Sequence, residues 1–286
     1  MYQWSKTQRI TLTGMFMAII FLLTFTPLGF PQIPLIGSAT IIHIPVIIGA
    51  ILLGPKYGAF LGFMFGLSSM IFATTQSVAL NAFAFTPFRP VPGTDNGSPW
   101  ALLIAFVPRI LVGIVSPLVF YGLMKLLSKK LESIGLAIAA VVGSMVNTLL
   151  VLHFMYFIFS GPWSYARENA AAGQRATANA AWELAARARD AAALATREAI
   201  YTAAEAGSAA WELAIEYTQN AVVYEQSAYA AQGRVIVAPQ VTYAFITGII
   251  AGFGVPEAIA AGVIVPAVCI ALFAVAKRMG RQPIRG

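Results

Sequence analysis

The residues able to do chemistry in this chain are few, and they lie within stretches that are otherwise apolar. Arg109, in FVPRILVG, falls roughly two turns inside such a stretch. A guanidinium at that depth of a bilayer costs about 2–3 kcal/mol unless it is paired, faces a wet cavity or snorkels to the headgroups. Glu257, in GFGVPEAIA, is the lone acid of its own stretch, and pairing with Arg109 across a helix bundle would neutralise both. Pro256 beside it frees a backbone carbonyl one turn earlier, so a cavity there would also be lined with acceptors. Asn147 lies about halfway along a further stretch with His153 two turns beyond it, and an interhelical hydrogen bond is the simplest role for the amide. His43, with Thr40, opens another stretch and is expected at the outer surface. Asn81 and Arg89 belong to the segment QSVALNAFAFTPFRPVPGTDNGSPW at 76–100, whose prolines and aromatics suit the cover of a pocket. A buried arginine in a cavity capped by aromatic loops would suit a small anionic or amphipathic nutrient. The candidate substrate-binding set is therefore Arg109, Glu257, Asn147, His43, Asn81, Arg89 and His153.

Several chemistries are disfavoured by what the chain lacks. It has no GxxxxGK[ST] phosphate loop, no HExxH and no nucleophile elbow, so neither ATP binding by that route nor hydrolysis is expected. The two histidines stand far apart without carboxylate neighbours, and the single Cys269 can form no internal disulfide or CxxC site. No enzyme activity, cofactor or metal is expected. The net charge of +7 does not indicate nucleic acid, because the basic residues are not gathered into a patch interleaved with aromatics.

The elements that must position these residues are membrane helices. Of the 286 residues, 59% are hydrophobic and 10% charged, with a mean hydropathy of +0.77; a soluble domain carries about 25% charged residues. The spacing predicts six spans at about 10–28, 40–54, 57–75, 101–127, 134–160 and 241–276. The first resembles a signal sequence in having Lys6 and Arg9 before it, but no small-residue cleavage site follows, and it is expected to be retained. Every lysine (Lys6, Lys56, Lys125, Lys129, Lys130, Lys277) falls on one side if the spans alternate, which predicts a multi-pass protein of the cell membrane with both termini in the cytoplasm. Gly54, Gly58, Gly62 and Gly66 recur every four residues and form a small-residue face for close backbone approach.

Residues 164–234 differ from the rest. They are dominated by alanine, strongly helix-forming, charged every few residues and free of any run long enough to span. AAWELA at 180–185 recurs at 209–214, which would place Trp182 and Trp211 on one face of an unbroken helix; Gly207 and Ser208 offer a break, so two helices folding back outside the membrane are expected. The fold class is an all-α membrane protein with this helical insertion between its fifth and sixth spans. Its parts are spans one to five (1–163), an extracellular insertion (164–234), and the sixth span with a basic tail (235–286).

HIPVIIGAILLGPKYGAFLGFMFGLSSM at 43–70, FVPRILVGI at 106–114 and GVPEAIAAGVIVPAV at 254–268, taken together and in that order, resemble the substrate-binding S component of an energy-coupling factor (ECF) vitamin transporter, most of all the pantothenate type. The resemblance implies capture of a vitamin from outside, docking on a transmembrane coupling subunit, and transport driven by two ATP-binding subunits. Family members dock through small residues of the first span, for which the nearest match is Gly14-x-x-x-Ala18; the glycine face, through Gly58 and Gly62, is the second docking candidate. The insertion departs from the short outer loop expected there. It leaves room for another function, that of a receptor or assembly protein binding an extracellular partner through 164–234 without transport.

Overall fold

The structure, a computed structural model, describes residues 4–26, 29, 32–33, 37–38, 40–75, 81–127, 129–201, 209–233 and 243–279. It is all-α apart from a two-residue antiparallel pairing of Gln32–Ile33 with Gly37–Ser38. The helices are α1 (Lys6–Thr24), α2 (His43–Leu53), α3 (Pro55–Thr75), α4 (Trp100–Leu126), α5 (Glu132–Tyr201), α6 (Ala209–Gly233), α7 (Tyr243–Ile249) and α8 (Val255–Arg278), with a π turn over Ile250–Gly254 joining the last two. The chain divides into two compact units, Met1–Tyr165 with Gln240–Gly286, and Ala166–Pro239.

Within the first unit, α1 begins at a capping box. The hydroxyl of Ser5 accepts from the Gln8 N–H at 3.3 Å, and the Gln8 side chain accepts from the Ser5 N–H at 3.1 Å. Five helical segments among the described residues are long and apolar enough to cross a membrane. The predicted second span is different. With 11 residues, α2 rises about 16 Å, well short of the bilayer's hydrocarbon thickness, and every one of its residues is buried. Its backbone ends cannot be left to water, and the neighbouring helices complete them. Trp4 donates its indole N–H to the Leu52 carbonyl at 3.2 Å, and the Tyr121 hydroxyl donates to the Ile51 carbonyl at 2.6 Å. The N–H of Gly54 donates to Ala50 at 2.8 Å with φ at +96°, a conformation glycine adopts without strain.

The glycine face of α3 is consumed by α4. A Cβ on Gly58 would strike the Gly113 carbonyl and one on Gly62 the Arg109 carbonyl, while one on Gly66 would lie 2.7 Å from the Ala105 carbonyl. The contacts step four residues forward on α3 and four back on α4, as antiparallel helices in near-backbone contact require. This corrects the expectation that Gly58 and Gly62 form a docking face: both are buried inside the chain. The helix that carries the fifth span runs on beyond it. Helix continues to Tyr201, interrupted at Phe159 (φ −126°, ψ 16°), three residues before Pro162.

The second unit pairs the 166–201 part of α5 with α6. The Trp182 indole donates to the Gln232 side chain at 3.1 Å and meets the Tyr229 ring edge-on at 4.9 Å. Arg189 pairs with Glu225, and Ala195 and Ala199 pack with Ala214. Partners advance on one helix as they retreat on the other, so the two run antiparallel. The buried residues Ala171, Ala178, Ala185, Ala192 and Ala199 recur every seven positions, an alanine seam of coiled-coil period. The side chain of Trp211 and the Gly207–Ser208 break lie outside the described residues.

Gly58→Leu and Gly113→Leu should each lower stability by about 1–3 kcal/mol or more through overpacking. Gly122, whose Cβ would meet nothing within 4 Å, supplies the control. Thermal unfolding in detergent should show losses for the first two variants and little change for Gly122→Leu.

Candidate functional site

Arg109 owes its position to the residue before it. Pro108 has no N–H, so the Ile104 carbonyl four residues back lacks its helical partner, and Nη1 of Arg109 donates to it. The guanidinium carbon lies 5.4 Å from the centre of the Phe65 ring, on α3, and 5.0 Å from that of Phe85. Phe85 closes a short 3-10 turn (Ala82–Phe85) in the loop between α3 and α4, so one aromatic of that loop stands against Arg109. Arg109 is 3% exposed, its Nε has no hydrogen-bond partner, and no carboxylate pairs with it among the described residues. Two ring faces and one carbonyl hold the cation without neutralising it.

The expected Arg109–Glu257 pair does not form. Glu257 Oε1 instead accepts from the Thr40 N–H at 2.7 Å, and Oε2 accepts from the Thr148 hydroxyl at 3.3 Å. Thr40 stands just ahead of α2, where the positive end of the helix dipole favours an anion. The carboxylate thus ties α8 to the start of α2 and to α5, and its charge is answered there. The π turn before it has a matching local cause. The Val255 N–H reaches back to the Ile250 carbonyl, and Pro256 then offers no donor to Gly252.

The other candidates separate into two groups. His43 is fully buried rather than at a surface, and its neighbour Thr40 approaches the ring without completing a hydrogen bond to either nitrogen. Asn147 is 3% exposed with Oδ1 unpartnered, and Ser144, one turn earlier on α5, is buried with its hydroxyl unpartnered. His153, Arg89 and Asn81 have hydrogen-bond partners of their own. Nδ1 of His153 lies 2.7 Å from the Leu149 carbonyl and Nε2 lies 3.3 Å from the Tyr243 hydroxyl, among Tyr156, Phe157 and Tyr243. Arg89 is half-buried and donates through Nε to the Thr74 carbonyl at 3.4 Å, while the buried Asn81 accepts through its carbonyl from the Ala84 N–H. Sequence reasoning missed Phe65, Phe85, Ser144 and Thr148. The Pro-Arg dipeptide and the Phe-Ala-Phe of the loop were the available signals for the first two.

These features define a multi-pass membrane protein that keeps an uncompensated cation among its helices. Residues 8–269 match the family described as ECF transporter, substrate-specific component, and the chain belongs to that family. It is 40% identical over 163 residues to the pantothenic acid transporter PanT of Lactococcus lactis subsp. cremoris, a match covering 56% of this chain and 79% of that one. It is 32% identical over 155 residues to the pantothenate transporter PanT of Leuconostoc mesenteroides subsp. mesenteroides, covering 52% and 68% respectively.

Since Glu257 serves the Thr40 N–H and not Arg109, the two residues should act independently. Glu257→Ala should cost about 1–3 kcal/mol by leaving a buried N–H without an acceptor, and Glu257→Gln should cost less. A double-mutant cycle of Glu257→Ala with Arg109→Ala, followed by thermal unfolding, should be additive within about 0.5 kcal/mol. Coupling well above that would show a direct pair.

Proposed function

We propose that the chain is the pantothenate-binding subunit of an ECF vitamin importer. The observation that carries this reading is the buried Arg109, held between Phe65 and Phe85 with Nε unpartnered and no acid beside it. Such a cation lacks its anion until a ligand brings one, and the carboxylate of pantothenate can take two parallel hydrogen bonds from a guanidinium. The names of the two relatives support the choice of vitamin. Glu257 closes the end of the site by holding Thr40 to α5, His43 and Asn147 face the ligand beyond Arg109, and Asn81, Arg89 and His153 line its approach. The lysine-bearing helix ends lie in the cytoplasm, the site opens outward, and residues 164–234 form an extracellular helical insertion.

The same reading gives α1 the docking role. Gly14 and Ala18 are exposed, with nothing within 4 Å of a Cβ on Gly14. Gly14 lines a groove of about 520 Å3 with Thr13, Met17, Tyr57 and Phe60, into which a helix of the transmembrane coupling subunit can lay its backbone closely. Two ATP-binding subunits complete the assembly and supply the phosphate loops that this chain lacks.

Calorimetry with pantothenate tests the anchor. Arg109→Ala should lose about 2–5 kcal/mol of binding, roughly thirtyfold to several thousandfold. Arg109→Lys should recover little of it, because an ammonium cannot make the two-pronged contact. Binding within about threefold of wild type for Arg109→Ala would exclude Arg109 as anchor. For docking, Gly14→Leu and Ala18→Trp should abolish pull-down of the coupling subunit while pantothenate still binds. Unchanged pull-down would place the docking face elsewhere.

A further inference from the structure

Two fixed points bring the start of α2 alongside the middle of α5. At one, a Cβ on Gly143 would contact Ser116 Oγ and lie 3.2 Å from Ile47 Cδ1, so α2, α4 and α5 converge there. At the other, Glu257 accepts from both the Thr40 N–H and the Thr148 hydroxyl. His43 lies between Thr40 and Ile47, and Ser144 and Asn147 lie between Gly143 and Thr148, so all three occupy the stretch that the two ties enclose. Arg109 stands two turns before Ser116 on the third helix of the same junction.

The hydrogen bonding of these three residues departs from that of most helical hydroxyls in the bundle, a departure that Ser69 on α3 shares. Thr13, Thr24, Thr74 and Ser116 each donate to the carbonyl four residues back, the ordinary resting place of a hydroxyl in a buried helix. Ser144 makes no such bond, although it is 0% exposed. His43, also 0% exposed, completes no hydrogen bond at either ring nitrogen, although the Thr40 backbone lies close to the ring, and Asn147 leaves Oδ1 unpartnered. Burying polar atoms in this state is costly unless a further group supplies their hydrogen bonds. A neutral imidazole offers one donor and one acceptor, a serine hydroxyl both, and the Asn147 oxygen an acceptor. That set matches hydroxyl and amide groups. Its mixture of donors and acceptors suits groups that can both give and take a hydrogen bond.

We propose that His43, Ser144 and Asn147 form a second, neutral subsite that hydrogen-bonds the hydroxyl and amide groups of the acid whose carboxylate Arg109 holds. The subsite rests on the reading of Arg109 as a carboxylate anchor. It makes the protein selective for an elongated acid carrying neutral polar groups at its far end, and it sets these three residues, rather than Arg109, as the determinants of specificity.

The test compares two probes by calorimetry in detergent, pantothenate and its analogue with both hydroxyls replaced by hydrogen. Wild type should prefer pantothenate by about tenfold or more, because a site built to hydrogen-bond a hydroxyl rejects the compound lacking it. Asn147→Ala and His43→Phe should weaken pantothenate by about tenfold while leaving the analogue within about threefold, so that the preference disappears. Arg109→Ala should weaken both probes alike. Ser144→Ala, a near-isosteric change, preserves the comparison if either larger substitution prevents folding. Variants that weaken both probes equally, or neither, overturn the subsite while leaving the Arg109 anchor standing. Wild-type protein that binds neither probe overturns the anchor, and the subsite with it.

Discussion

The buried backbone of α2 is the constraint on which the arrangement of this protein depends. An 11-residue helix enclosed on every side leaves carbonyls at one end and N–H groups at the other, and no water is available to either. Trp4, just ahead of α1, and Tyr121 on α4 answer the first end. Glu257 answers the N–H of Thr40, just ahead of the second, from α8, and reaches Thr148 on α5 with its other oxygen. The completion of one short helix therefore holds four others in register. It also commits the sole acid of α8 to a structural task.

That commitment leaves Arg109 without a carboxylate partner among the described residues. Its support comes from backbone and rings: a carbonyl released by Pro108, Phe65 from α3 and Phe85 from the loop between α3 and α4. The close approach of α3 and α4 is what brings Phe65 within reach, and the glycines at 58, 62 and 66 permit that approach. A carbonyl dipole and two ring quadrupoles stabilise a guanidinium while leaving its net charge intact. A carboxylate in the same place would have quenched it.

Much of this was legible in the sequence, and the remainder fails for identifiable reasons. Membrane class and the helical insertion follow from composition and periodicity. Arg109 stands out because its burial is expensive wherever it occurs. Its partner could not be read, because pairing depends on how α8 sits against α2 and α5, and nothing in the spacing fixes that. The glycine period of four is plain in the sequence, yet a stripe of small residues looks the same whether it meets another chain or α4. His43 was misplaced for a related reason. A histidine at the head of a span is expected to be exposed, but α2 is enclosed by its neighbours along its whole length. The seven-residue alanine seam of the second unit was present in the sequence, obscured by the abundance of alanine around it.

An uncompensated arginine and unpartnered polar atoms in one part of a helix bundle amount to stability withheld from the empty protein. A sequence optimised for folding alone would pair Arg109 with an acid and return the Ser144 hydroxyl to its own helix. Either change would satisfy the empty state and weaken the advantage of binding, since a ligand stabilises a protein only by what it adds to the state it finds. The division of labour between the two buried charges follows the same logic. Glu257 is satisfied internally and holds the frame whether or not ligand is present, while Arg109 is positioned without being satisfied. In the binding role proposed for Arg109, placing the structural demand on the acid keeps the cation available for an anion.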